Sequence, residues 1–137
     1  MLPDRQVKAL LVRAAAARKR AYSRHRPKRI KVGAALLTKS GKVFEGCNIS
    51  NQASTLGMCA ERIAMWSAVA AGHTKFKAIA IAGNGPEPWT PCGACRQIMS
   101  EFDPTGAIEV IMTDRTGRRV LRARLKDLFP LPFRVEG

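Results

Sequence analysis

The sequence predicts an α/β fold, a mixed sheet of five strands covered by helices. Helical periodicities and short apolar runs alternate along the chain in the order α, β, β, α, β, α, β, β and a short α. The chain has 137 residues, 46% of them hydrophobic, so we expect a single domain with one core spanning residues 1–137. Its longest apolar runs, at 32–37 and 78–82, are far shorter than the ~18 residues of a membrane span.

The first half of the chain predicts one helix and a β-hairpin. Apolar residues between Val7 and Ala15 recur at helical spacing, which predicts an amphipathic helix over 4–22. A basic loop that contains Pro27 follows, over 23–31. The apolar run at 32–37, the Ser40–Gly41 turn signal and the segment 42–47 predict a hairpin. The polar stretch 48–57 reads as a loop.

The second half predicts alternating helices and strands. The Ala-rich segment 60–71 has good helix formers and stops at Gly72. We expect strands at 76–82, 107–113 and 118–123, a second core helix at 92–102, and a short helix at 125–129. Helices between neighbouring strands imply crossover connections, and hence some parallel strand pairs.

The charge balance is strongly basic and uneven. Lys and Arg number 24 against 10 acids, a net charge of +14, and residues 1–42 hold 13 of the basic residues. Such a field attracts polyanions. Aromatics make up only 6% and do not interleave with the charges, so we expect solubility or weak nucleic-acid binding rather than a specific nucleic-acid interface. No apolar segment follows the first residues, which argues against a secretory signal and for the cytoplasm.

Three of the four cysteines form a pattern typical of a metal site. Cys59 begins one predicted helix, and Cys92 and Cys95 begin another in a Pro-Cys-x-x-Cys arrangement. Helix N-termini stabilise thiolates, so two adjacent helix starts could deliver three sulfurs to one zinc ion. Three protein ligands leave a fourth position open, as in catalytic sites. The alternative is a closed, structural site with Cys47 as the fourth sulfur.

Charged residues flank these cysteines. Glu61 lies two residues after Cys59, close enough to shuttle protons without binding the metal. Arg62 and Arg96 each follow a site residue, and their guanidinium groups could offset the negative charge of three thiolates; simple surface exposure is the alternative for both. A Cys-x-Glu element combined with Pro-Cys-x-x-Cys is the signature of zinc deaminases.

The sequence resembles the cytidine deaminase family in its short, homotetrameric, three-cysteine form. The resemblance runs from Ala21 to Phe133 and rests on five motifs in order: 32–37 (VGAALL), 46–49 (GCNI), 59–62 (CAER), 91–97 (PCGACRQ) and 128–130 (LFP). It implies a three-layer α/β/α sandwich, a Zn²⁺ cofactor, a cytosine nucleoside substrate and a homotetramer.

The resemblance also implies roles for individual residues. Cys59, Cys92 and Cys95 would be the zinc ligands, Glu61 the acid/base, and Arg62 the group that braces the thiolates. The substrate would contact Asn48 at the ribose 3′-hydroxyl and the Ala60 backbone at the base edge, while Phe133 would reach into a neighbouring subunit's pocket.

Three departures from the family pattern fall where substrate identity is set. Ser50 replaces a glutamate that holds the ribose, Ser54 replaces a tyrosine, and Ile30 replaces an aromatic that flanks the base. The first interpretation is hydrolytic deamination of cytidine and deoxycytidine in pyrimidine salvage. The second is a variant substrate, sugar-modified, blasticidin S-like or phosphorylated, with Lys28, Arg29 and Lys31 nearby to hold an anion. A zinc-bearing nucleic-acid binder without activity, or a deaminase of single-stranded nucleic acid, is a further alternative.

Overall fold

The structure is a computed structural model that describes residues 1–23 and 29–135. Its elements follow the predicted order: α1 (Asp4–Arg18), β1 (Val32–Thr38), β2 (Val43–Cys47), α2 (Ala60–Ala70), β3 (Phe76–Gly83), α3 (Gly93–Glu101), β4 (Glu109–Thr113), β5 (Val120–Arg124) and α4 (Leu125–Leu128). A short 3₁₀ turn, Ser54–Leu56, was not predicted. Within the described ranges, no helix is long and apolar enough to cross a membrane.

The five strands form one mixed sheet in the order β2-β1-β3-β4-β5. Of the strand pairs that the structure describes in this sheet, only β3–β4 is parallel; β1 pairs with β2 and β3, and β4 with β5, in the antiparallel direction. The parallel pair is joined through α3, the crossover that a parallel connection requires. The predicted mixed five-stranded sheet is confirmed.

Helices cover both faces of the sheet, which confirms the three-layer sandwich. Alternate residues of β1 and β3 face opposite sides, as the pleat of a strand dictates. On one face, α1 packs against small residues such as Ala78 and Ala80. On the other face, α2 and α3 pack against larger residues such as Leu36 and Ile79. The small side chains on the first face allow α1 to lie close to the sheet.

Two glycines set the distance between layers. A Cβ atom on Gly33 in β1 would lie 1.9 Å from the carbonyl oxygen of Ala14 in α1. A Cβ atom on Gly46 in β2 would lie 2.4 Å from the carbonyl oxygen of Ala60 at the start of α2. At both points backbone touches backbone, which only glycine permits.

The N-terminus is held at the far edge of the sheet by an ion pair whose carboxylate is buried and whose arginine is partly exposed. Glu109 is 1% exposed, and its carboxylate accepts hydrogen bonds from the Leu2 amide at 2.7 Å and from the Arg122 guanidinium. Arg122 also donates to the Leu2 carbonyl at 2.7 Å and lies 3.5 Å from Asp4. The pair therefore joins three segments that are distant in sequence.

Three predicted boundaries were wrong by two or more residues. Strand β5 starts at Val120 rather than residue 118, because the amides of residues 118 and 119 donate to the Thr116 hydroxyl and the Asp114 carboxylate. The other two have similar causes. Helix α1 ends at Arg18 rather than residue 22, because the Tyr22 amide donates to the Asn48 carbonyl and the Tyr22 carbonyl accepts from the Ser50 amide. Strand β4 starts at Glu109 rather than residue 107, because the amides of residues 107 and 108 donate to the Asp103 carboxylate. In both cases tertiary or side-chain hydrogen bonds replace those of the regular element.

Candidate active site

A cavity of about 660 Å³ opens where α2 and α3 begin. The start of α2 contributes Cys59, Ala60, Glu61 and Arg62 to its wall, and Cys92 lies at the start of α3. The rest of the described lining comes from the entry to β1, the loop after β2 and the loop before α3: Ser23, Ile30, Val32, Asn48, Ile49, Ser50, Ser54, Gly57, Met58 and residues 85–90. The fold therefore brings two of the predicted zinc ligands, Glu61 and most of the predicted substrate residues to one cavity.

Three thiols meet at this cavity. The sulfur atoms of Cys59, Cys92 and Cys95 all lie within 4.8 Å of one another, and those of Cys59 and Cys92 are 3.9 Å apart. Sulfurs bound to one tetrahedral zinc ion at ~2.3 Å would be about 3.8 Å apart. The spacing and the all-thiol donor set thus fit a zinc ion.

The helix starts leave these sulfurs free to bind. Cys59 and Cys92 are the N-cap residues of α2 and α3, and neither side chain caps its helix. Cys47 lies in β2 and does not belong to the group of three. Among the described residues, a closed four-cysteine site is therefore not formed.

Arg62, which we expect to balance the charge of the thiolates, lies beside the Cys59 sulfur. Its Nη2 atom donates to the Cys59 sulfur at 3.2 Å. A hydrogen bond from Cys95 and the nearby Arg62 guanidinium lower the pKa of the Cys59 thiol to about 5, against the opposing effect of burial. The hydrogen bond to Cys59 and burial raise the pKa of Cys95.

Arg96 does not have the charge-balancing role considered for it. Its Nε donates to the Pro91 carbonyl at 2.8 Å and its Nη1 to the Leu128 carbonyl at 2.7 Å. It ties the residue before Cys92 to α4. Arg96 is thus neither a thiolate partner nor simply exposed.

Glu61 lies in the cavity wall beside the sulfurs. The residue is 2% exposed, and burial raises the pKa of its carboxyl group to about 7. A carboxyl group with a pKa near neutrality can both accept and donate a proton. Its place in the first turn of α2 follows directly from the Cys-x-Glu spacing.

Asn48 and Ser50 also line the cavity, and the side chains of both form hydrogen bonds to backbone atoms. The Asn48 side chain accepts from the Val32 amide at 2.7 Å and donates to the Ile30 carbonyl at 2.9 Å. An amide side chain in this position keeps one N–H and one lone pair for a ligand. The Ser50 hydroxyl donates to the Tyr22 carbonyl at 3.0 Å. Ser50 therefore fastens the loop to the chain after α1.

The comparison with known families rests on most of the chain. Residues 4–112 match the cytidine and deoxycytidylate deaminase zinc-binding region. The chain belongs to this family. It is a zinc-dependent deaminase, and the three-sulfur group agrees with the metal that the family carries.

Relatives and solved structures agree with this assignment. The deaminase is 40% identical over 111 residues to the cytidine deaminase of Sporosarcina psychrophila, covering 81% of this chain and 79% of that protein. It is 29% identical over 111 residues to the blasticidin-S deaminase of Bacillus cereus, covering 74% of this chain and 76% of that one. A crystal structure of cytidine deaminase from Burkholderia pseudomallei superposes with a TM-score of 0.84 at 45% identity, covering 92% of this chain and 98% of that one.

Other predicted site residues of the deaminase have mixed placements. Ile30 and Ser54 line the cavity, but Lys28 lies outside the described residues. Phe133 is 73% exposed and does not line the cavity. Its backbone amide and carbonyl are both bound by the Gln97 side chain, at 3.0 and 2.8 Å, which holds the C-terminal segment against α3.

Among the lining residues of the deaminase cavity that were not predicted from the sequence are Ser23 and Trp89. The Ser23 hydroxyl is buried and has no hydrogen-bond partner within the described part of the chain. Trp89 lies three residues before Cys92, in a loop that we expected only to connect a strand and a helix. Its nearness to the Pro-Cys-x-x-Cys motif was the available signal.

Proposed function

We propose that this protein catalyses hydrolytic deamination of cytidine and deoxycytidine to the corresponding uracil nucleosides and ammonia. The observation that carries the proposal is the group of three sulfurs, within 4.8 Å of one another, beside the buried Glu61 in one cavity. The cytidine deaminases among its relatives support the substrate class.

Glu61 is the proton carrier in the proposed reaction. When bound by Cys59, Cys92 and Cys95, zinc supplies a Lewis acid that makes hydroxide available from water near neutral pH. Glu61 takes the proton released from that water and delivers it to N3 of the cytosine ring. The water oxygen becomes bonded to C4 as a hydroxyl group, and Glu61 then takes the proton of this hydroxyl and passes it to the exocyclic amine. The bond from C4 to that nitrogen breaks, which leaves a carbonyl at C4 and releases ammonia.

The base and sugar are assigned to opposite ends of the cavity. The Ala60 carbonyl faces Gly46, whereas its amide belongs to the first turn of α2, where N–H groups have no partners within the helix. We assign that amide to the base edge. The remaining N–H and lone pair of Asn48 are assigned to the ribose 3′-hydroxyl.

The described residues that line the cavity favour a neutral nucleoside over a nucleotide as the substrate. Arg62 is the only basic residue among the described residues that line the cavity, and it binds the Cys59 sulfur. Arg29 and Lys31, considered as phosphate ligands, are not part of this lining. Neither of these two residues would therefore provide a positive charge to bind a phosphate group on the substrate.

A substrate panel tests the proposal. Ammonia release is measured with cytidine, deoxycytidine, CMP, dCMP, blasticidin S and a cytosine-containing oligonucleotide. We expect kcat/KM to be highest for the two nucleosides. Turnover of the nucleotides or blasticidin S alone would contradict the proposed substrate. An X-ray absorption spectrum with four sulfurs on zinc, and no turnover of any compound, would instead identify a structural zinc protein.

Replacing Ser50 by glutamate is expected to lower the KM for cytidine by about tenfold, since a hydrogen bond to a charged group contributes roughly 1.5–3 kcal/mol. Ser50 lines the cavity near Asn48, so a carboxylate there would reach a ribose hydroxyl. Steady-state kinetics with cytidine and with free cytosine measure the effect, which should be confined to cytidine. Asn51→Glu, an exposed neighbour outside the cavity, is the control. An equal change with free cytosine would place the effect outside the sugar site.

We also propose a homotetramer acting in cytoplasmic pyrimidine salvage. Phe133, Leu131 and Val135 form an exposed apolar C-terminal segment that a neighbouring subunit could cover. The four cysteines are all free thiols, which suits a reducing compartment. Light scattering on the purified protein measures the assembly, and a monomer that turns over cytidine at full rate would contradict a role for Phe133 in a neighbour's pocket.

A further inference from the structure

Trp89 is an aromatic side chain that the mechanism above leaves without a role. It is half-buried in the loop between β3 and α3 and lines the cavity. Among the described residues of the cavity wall it is the only aromatic one. Its indole N–H has no hydrogen-bond partner in the described ranges, so no polar contact with a described residue explains its presence.

The indole ring is held in place by backbone and by two glycines. The Trp89 amide donates to the Thr113 carbonyl at the end of β4, at 3.2 Å. A Cβ atom on Gly83 would lie 2.6 Å from the Trp89 Cβ and 2.8 Å from the ring atoms Cδ2 and Cε3. A Cβ atom on Gly85 would lie 3.9 Å from the ring. The ring thus occupies the space that a side chain at residue 83 would fill.

This position places the ring in the same cavity wall as Cys59, Glu61 and Cys92. Gly83 pairs with Val32 across the sheet, and Val32 also lines the cavity. Trp89 packs on the same apolar core as Cys59 and as Ile30, an aliphatic wall residue. A flat ligand bound near the sulfur atoms could therefore pack against the indole ring, which offers it a broad apolar surface.

We infer that Trp89 is a specificity-determining residue whose indole forms the wall against which the pyrimidine ring of the substrate packs. The inference rests on the proposed function, because it takes the cytosine ring as the ligand. Packing of a base on an aromatic ring depends on the base and not on the sugar. The effect of Trp89 should therefore be equal for cytidine and deoxycytidine.

Steady-state kinetics provide the first test. Trp89→Val should raise the KM for both nucleosides by about 5- to 100-fold, the range for removing an aromatic ring from under a base. The kcat should change much less, because Glu61 and the sulfurs are untouched. Trp89→Phe keeps a ring and should restore most of the affinity. Trp66→Phe, on the exposed side of α2 and outside the cavity, is the matched control and should leave KM unchanged.

Intrinsic fluorescence provides a second test that needs no turnover. The sequence has two tryptophans, so a Glu61→Gln/Trp66→Phe double variant reports on Trp89 alone. Titration with cytidine should change its emission saturably, with the dissociation constant found by equilibrium dialysis. This titration also decides the matter if Trp89→Val fails to fold.

The two tests separate failure of the inference from failure of the proposed function. A wild-type protein that deaminates cytidine, with an unchanged KM in Trp89→Val and no emission change, overturns the inference alone. A wild-type protein that releases no ammonia from cytidine overturns the proposed function, and the titration then judges Trp89 by itself: a saturable change supports its contact with the base, and no change refutes it.

Discussion

Glu61→Gln is expected to lower kcat for cytidine by about 10²–10⁴-fold, the usual contribution of a positioned acid/base, while the protein keeps one zinc ion per chain. Glutamine has the shape of glutamate but cannot carry a proton. The residue is 2% exposed and lines the cavity beside the sulfurs, so bulk water cannot readily replace it. Ammonia release gives kcat, and metal analysis by mass spectrometry gives the zinc content.

Glu87→Gln is the matched control for this variant. Glu87 lines the same cavity, but its side chain is 67% exposed and is paired with Arg119 at 2.8 Å. The same chemical change there should leave kcat nearly unaltered. Full activity of Glu61→Gln would show that another group moves the proton, and loss of zinc from this variant would assign Glu61 a ligand role instead.

Arg122→Leu is expected to lower the free energy of unfolding by about 3–5 kcal/mol, the usual loss when one partner of a buried ion pair is removed. The change leaves the Glu109 carboxylate, 1% exposed, with only the Leu2 amide as a partner. Urea unfolding followed by circular dichroism measures the loss. Arg118→Leu, an exposed arginine before the same strand, should change stability by no more than about 0.5 kcal/mol.

The pH dependence of this loss identifies Glu109 as its source. In the wild type, burial raises the pKa of Glu109, but hydrogen bonds from Arg122 and the Leu2 amide outweigh it, and the net pKa lies below the usual value. Its contribution is therefore present above the unfolded pKa of about 4.3 and is lost as pH falls through the folded value. Without Arg122, burial should raise the pKa of Glu109. The difference in the free energy of unfolding between the variant and the wild type should therefore become smaller as the pH falls.

A second variant tests the same prediction if Arg122→Leu does not fold. Glu109→Leu/Arg122→Leu removes both charges, and replacing a buried ion pair by apolar residues is often close to neutral. We expect the double variant to recover most of the lost stability and to lose the pH dependence. A difference in the free energy of unfolding between Arg122→Leu and the wild type that stays constant between neutral pH and pH 4 would contradict this account. It would mean that lost packing, and not the Glu109 carboxylate, causes the loss of stability.

The metal centre could be predicted from the sequence because its geometry is local. Cys59 and Glu61 are two residues apart, and Cys92 and Cys95 are three apart, so a helix start fixes each pair. The order of the elements along the chain was accessible for the same reason, since most of them have a hydrophobic pattern of their own. What brings the two helix starts together is the whole sheet, and the sequence indicated it only through the resemblance.

The rim of the cavity could not be predicted in the same way. The bond from the Ser50 hydroxyl to the Tyr22 carbonyl and the bond from Arg96 to the Leu128 carbonyl join residues 28 and 32 positions apart. Neither bond leaves a pattern in the sequence. The same holds for Trp89, whose contact with Gly83 depends on the path of a loop with three prolines.

Gly33 and Gly46 limit which positions of this protein can be substituted during evolution. Main-chain atoms, not side chains, set the spacing between the sheet and the helices at these two points, with would-be Cβ distances of 1.9 and 2.4 Å. Substitutions elsewhere in the interior cannot alter that spacing directly, so the start of α2 stays registered to β2. Other residues that line the cavity, such as Ser50 and Ile30, can then be substituted in ways that suit new ligands while the cysteines and Glu61 keep their positions.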